Sequence, residues 1–181
     1  MSNTSIAAYP AARGKECLDF IGAQHPEWRV VLNPRKFLAD VNVLVMENER
    51  AMLVWQVYPQ REDWKLYKEL AAQFQCGWMQ VFFQEHIAWE YNLHNVQDQL
   101  VDRFETLPSM WGHETGPVGN AEVVAGLWGI PPASIQRYLK PWNERLRRRK
   151  AYWCRDEFRY GQYEQGHDFL RAVTGLSFPG A

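Results

Sequence analysis

The stretch Trp78–Phe104, WMQVFFQEHIAWEYNLHNVQDQLVDRF, constrains this chain more than any other. It alternates in period two, run after run. Gln80, Phe82 and Gln84 alternate with Val81, Phe83 and Glu85, then Trp89, Tyr91 and Leu93 with Glu90 and Asn92. Leu100, Val101 and Phe104 follow among Asp98, Asp102 and Arg103. Such alternation of aromatic and β-branched residues, interrupted at polar points, predicts three β-strands. The connections are too short for a crossover, so neighbouring strands must be antiparallel. The expected centre is an antiparallel meander, packed on one face and partly solvated on the other.

Residues 61–75 predict a helix leading into that meander. Trp64, Tyr67, Leu70, Ala71 and Phe74 recur at three- and four-residue steps, with Glu62 and Asp63 in the first turn, where the dipole favours them. A helix laid on such a sheet gives an α+β fold, expected here in two layers. Upstream, Cys17, Leu18, Phe20 and Ile21 can share one helical stripe over residues 13–23, and 28–32 suits a short strand. Val41–Met46 and Ala51–Tyr58 suit a hairpin around Glu47–Arg50, with a single helix through 36–57 as the alternative. Residues 1–12 are small and polar and are expected to fray.

Downstream of Phe104, 107–120 carries Pro, Gly and small residues and predicts a long ordered loop. Asn120 is placed to cap a helix over Ala121–Trp128, with Val123, Val124 and Leu127 on one side. Ser134 is placed to open another around Ile135, Tyr138 and Leu139. A last helix near His167–Thr174 ends at Gly175, so the C-terminal part is helical. With 181 residues, no repeat and no dividing linker, one globular domain over 1–181 is expected.

Hydrophobic residues make up 46% and charged residues 23%, with a formal net charge of −1, which excludes a disordered tail protein and a wholly basic nucleic-acid binder. The aromatic content, 14% with nine tryptophans, points toward an aromatic-bearing interface, because large rings bury much area at little rotamer cost. Cys17, Cys76 and Cys154 form no CxxC pair and no even, dense set, so neither a zinc site nor a disulfide framework is suggested. The N-terminus lacks an apolar signal core and no window approaches the roughly 18 apolar residues of a spanning helix. A cytoplasmic protein with no membrane partner is expected.

Candidate chemistry is sparse. Glu85-His86 with His94 lacks the third ligand and fixed spacing of a metal site, and suits strand ends and turns. Asp98, Asp102 and Glu105 invite a paired-carboxylate reading, yet charges that discourage edge-to-edge aggregation explain them more simply. Gly112, Gly116 and Gly119 lack the lysine and the strand–helix frame of a phosphate loop. Trp111, His113 and Glu114 place a ring among charged and flexible residues, a pattern suited to partner contact, although a Trp folded back onto the sheet is the commoner outcome. Arg145–Lys150, including Arg147 and Arg148, is the one dense basic run; it suits a solvated face or an acidic protein partner, with nucleic acid as the alternative. No catalytic motif and no cofactor motif is present. An enzyme would need distant residues converging in a pocket.

Three stretches together resemble a known class. They are Trp89-Glu-Tyr-Asn-Leu with Val101-Asp-Arg-Phe and Pro108; Gly119-Asn-Ala-Glu-Val-Val-Ala with Trp128-Gly-Ile and Tyr138-Leu-Lys-Pro-Trp142; and Asp156-Glu-Phe through Gly161 with His167-Asp-Phe-Leu. Their order resembles immunity proteins of bacterial polymorphic-toxin and type VI secretion systems. The resemblance implies a cytoplasmic, non-catalytic toxin inhibitor that binds one cognate effector domain through protein–protein interaction. It transfers no site residues. Expected partner-binding residues are Glu85, Glu90, Asp98 and Asp102, with Trp111, His113, Glu114, Arg147 and Arg148.

Overall fold

The computed structural model describes residues 4–36, 38, 40–57, 63–84, 87–108, 118–142 and 162–177. The expected meander is present as β5 (Trp78–Gln84), β6 (Ala88–His94) and β7 (Leu100–Glu105), antiparallel throughout. It forms one side of a seven-stranded, mostly antiparallel sheet in an α+β fold. The other strands are β1 (Thr4–Tyr9), β2 (Val30–Leu32), β3 (Val43–Glu47) and β4 (Met52–Gln56), in the order β2-β3-β4-β1-β5-β6-β7. Among the described strands, only β2 and β3 run parallel.

The N-terminal segment departs most from expectation. Rather than fraying, Thr4–Tyr9 is the middle strand, pairing antiparallel with both β4 and β5. Its small residues, Ala7 and Ala8, read as polar-loop composition but are fully buried, one on each face, where helices pack closely against the sheet. The hairpin expected around Glu47–Arg50 forms in place of the single-helix alternative. Asn48 Oδ1 accepts from the N–H of both Arg50 and Ala51 and closes its turn.

Helices cover both faces, so the layering is three rather than two. On one face lie α1 (Gly14–Gln24) and α2 (Asp63–Phe74), burying Cys17, Ile21, Leu66, Tyr67, Leu70, Ala71 and Phe74 against Ala7, Tyr9, Val43, Val45, Met52, Val54 and Trp78. Tyr67 holds α2 in place: its hydroxyl donates to the Ser5 carbonyl, and the Tyr9 hydroxyl donates to the Tyr67 carbonyl. Trp64, expected in the buried stripe, is exposed, because Leu66 takes the inward position.

The second face carries α3 (Ala121–Trp128), a 3-10 turn at Pro132–Ser134, and α4 (Gln165–Thr174). Asn120 caps α3 as expected, accepting from the N–H groups of Glu122 and Val123. The buried side of α3 is Val124, Ala125 and Trp128 rather than Val123, Val124 and Leu127. Ser134 caps no helix; its hydroxyl bonds back to the Pro131 carbonyl within the 3-10 turn, since the adjacent prolines favour tight turning. Along α4, Phe169 stacks on Trp89 and Tyr91 at 5.0 and 5.4 Å between centroids. Gly166 lets the helix approach so closely that a Cβ there would lie 2.6 Å from Phe83 Cε1. Two hydrophobic clusters, one per face, therefore share the sheet between them.

Candidate functional site

β7 is an edge strand, and its alternation is broken. His94 pairs with Leu100 while Leu93 pairs with Asp102, so one extra residue bulges between the two positions. A bulge cancels strict inside–outside alternation. Leu100 and Val101 are consequently both exposed, at 52% and 46%. At Phe104 the edge is met, among the described residues, by an isolated antiparallel bridge to Val118, which is itself 61% exposed.

Among the described residues, large exposed hydrophobic side chains number six, and five of them fall within residues 96–123. Val96 lies in the turn entering β7, Leu100 and Val101 on the strand, Val118 on the bridging segment and Val123 in the first turn of α3. Trp64 is the sixth. Contiguous exposed apolar side chains are candidates for an interaction surface, whereas scattered single residues carry no such meaning, and here Leu100, Val101 and Val118 line one groove. A groove of about 420 Å3 runs through it, lined by Leu100, Val101, Asp102, Arg103, Val118, Gly119 and Asn120. A second groove of about 410 Å3 shares Val118, Gly119 and Asn120 and continues to Glu122, Pro132, Gln136 and Leu139.

The segment Val118–Asn120 is held against the strand by one carboxylate. Asp102 Oδ2 accepts from the Tyr91 hydroxyl at 2.6 Å and from the Asn120 N–H at 2.9 Å. Burial, and then the bond to Asp102, keep the Tyr91 phenol well above its ordinary pKa, so it remains a donor. Gly119 has φ +72°, and a Cβ there would sit 2.7 Å from the Tyr91 hydroxyl. This pass between Tyr91 and Phe104 therefore requires glycine.

The acidic residues expected to form one binding patch are separated. Asp102 lies in the groove. Asp98 sits in the β6–β7 turn with φ +59°, accepting from the Trp78 indole N–H at 3.1 Å and facing Lys68 Nζ at 2.6 Å and His94 Nδ1 at 3.3 Å. Its carboxylate joins the turn to β5 and α2. Glu90 occupies the α1/α2 face of the sheet, opposite Glu105 in register, about 13 Å of strand length from His94. Burial, followed by the charge of Glu105, raises the Glu90 pKa, with Gln84 and Arg103 opposing. Glu105 is nearly buried and paired with Arg103.

Glu85, Trp111, His113, Glu114, Arg147 and Arg148 lie outside the described residues. Among the described residues no three His, Cys, Asp or Glu side chains come close enough to hold a metal ion, and no helix is long and apolar enough to cross a membrane. The groove residues that sequence reasoning missed are Leu100, Val101 and Val118. The one available signal was the adjacent apolar pair Leu100-Val101 within a run of polar residues, a break in alternation that points to a bulged edge. No protein-family model, curated protein or solved structure matches this chain, and functional meaning rests on the geometry of this edge.

Proposed function

We propose that this protein is a non-enzymatic, immunity-type binding module that docks a toxin effector domain in the cytoplasm along its β7 edge and blocks it. The single observation that carries the docking is the exposure of Leu100, Val101 and Val118 along one groove at the bulged sheet edge. Burying such side chains against a partner contributes roughly 25 cal/mol per Å2 of apolar area, and well-packed apolar centres dominate protein interfaces. The partner class follows from the resemblance of Trp89–Leu93, Gly119–Ala125 and Tyr138–Trp142 to bacterial immunity proteins.

The test uses the tagged full chain. A protein that co-purifies from the native cells is produced separately, mixed with this chain, and assayed for affinity and for its toxic activity. Stoichiometric binding that suppresses toxicity, and that Leu100→Glu with Val101→Glu weakens at least about a hundredfold, is the expected result; two carboxylates introduced into an apolar contact cost this much. Binding unaffected by those substitutions removes the β7 edge as the docking surface. A co-purifying protein whose activity is unchanged in the complex removes the inhibitory role.

A further inference from the structure

We propose that the β7 groove receives a lysine or arginine side chain of the partner protein, its stem on Leu100, Val101 and Val118 and its cationic head at Asp102. This deepens, and rests on, the assignment of the β7 edge as a docking surface.

The chemistry of the guest follows from how Asp102 is used. Both internal hydrogen bonds, from Tyr91 and from Asn120, go to Oδ2. The other oxygen, Oδ1, has no hydrogen-bond partner among the described residues, and Asp102 lines a groove whose remaining walls include Leu100, Val101 and Val118. Arg103 also lines the groove, but its guanidinium is bound to Glu105 and so does not neutralise Asp102. The continuing groove adds the exposed carboxylate of Glu122 and, among the described residues, no basic residue. Apolar walls leading to an acceptor oxygen complement the aliphatic stem and charged head of lysine or arginine. A purely aliphatic guest would strip water from Oδ1 without replacing its hydrogen bonds, and an acidic guest would be repelled. The volume, about 420 Å3, exceeds one side chain, so apolar residues flanking the cation fit as well.

The probes are the peptide acetyl-Val-Thr-Lys-Thr-Val-amide and copies with arginine, norleucine or glutamate at the centre, titrated into the 15N-labelled full chain. Lysine and arginine peptides are expected to shift the amides of Leu100–Arg103 and Val118–Asn120, and to bind about tenfold more tightly than the norleucine peptide. Asp102→Asn, whose amide oxygen still accepts from Tyr91 and Asn120, should erase that preference. Leu100→Lys, at an exposed position that leaves the internal bonds untouched, removes part of the apolar wall for every peptide but adds charge repulsion only for the cationic ones, so it should weaken the lysine and arginine peptides more than the norleucine one. Equal affinities for lysine and norleucine, preference for glutamate, shifts located elsewhere, or no shift at millimolar peptide each overturn the proposal. If the native partner is lost on Leu100→Glu with Val101→Glu but is indifferent to Asp102→Asn, the edge still docks a partner and only the cationic guest is wrong. If the partner ignores all of these changes, the docking surface itself is elsewhere.

Discussion

Two glycine-to-alanine substitutions in this protein should move stability in opposite directions. Gly119 has φ +72°, and a left-handed backbone costs an L-residue about 1–2 kcal/mol. The added Cβ would also lie 2.7 Å from the Tyr91 hydroxyl and 3.1 Å from Phe104 Cβ. Tyr91 is fully buried and stacked on Phe104 and Phe169, so its ring has little room to withdraw. Any withdrawal stretches the 2.6 Å bond to Asp102, and a hydrogen bond to a charged group is worth about 1.5–3 kcal/mol. Gly119→Ala should therefore cost about 2–5 kcal/mol. For a domain of this size that lowers Tm by about 5–15 °C. Gly126 lies within α3, where a Cβ meets nothing within 4 Å. Gly126→Ala should stabilise by about 0.5–1 kcal/mol, since alanine loses less backbone entropy in a helix. Urea unfolding followed by tryptophan fluorescence, with m-values compared to check two-state behaviour, measures both. A Gly119→Ala variant within about 1 kcal/mol of the parent would refute the account of the Tyr91–Asp102–Asn120 clasp. A Gly126→Ala variant as destabilised as Gly119→Ala would refute it equally, because a general intolerance of alanine would then explain both.

Other predictions concern the charged groups. Glu90 has its pKa raised by burial and by Glu105, so its ionised form is disfavoured in the fold, and the stability it contributes at low pH is lost as pH rises through its range. Glu90→Gln should therefore stabilise the protein at pH 7 and lose that advantage at a pH where glutamates are protonated; no gain at pH 7 would contradict the sign. His167, stacked on Phe83 at 4.3 Å, has its pKa lowered to about 4, chiefly by burial, with the Asp168 charge opposing. Its contribution is fully present above about 6.5 and is lost as pH falls toward 4, amounting to at most about 3 kcal/mol, and His167→Phe should flatten this part of the pH–stability curve. Asp98→Ala removes the acceptor for Trp78 and the partner of Lys68 and His94, and should cost about 1–3 kcal/mol, with the half-exposed lysine pair contributing least. A loss under about 0.5 kcal/mol, measured by thermal unfolding, would mean that the β6–β7 turn is held by its backbone and Asn95 alone.

What the sequence determined by itself is local. Strands β5 to β7 were legible because alternation over a few residues encodes two faces, and the Asn120 cap and the α2 stripe because helical contacts span only three or four positions. Long-range pairing left no such trace. The segment Thr4–Tyr9 became the middle strand because β4 and β5 supply partners on both sides, and nothing within TSIAAY announces them. Helices on the second face likewise depend on which side of the sheet the chain crosses after β7. The candidate site follows the same division. Asp102 stood out as a charge, but its neighbours Tyr91 and Asn120 lie eleven and eighteen residues away, and only folding aims one carboxylate oxygen inward and leaves the other at the groove. Glu90 and Asp102, twelve positions apart in a run of similar acids, end on opposite faces because cross-strand register and a single bulged residue, rather than residue type, decide where a side chain points.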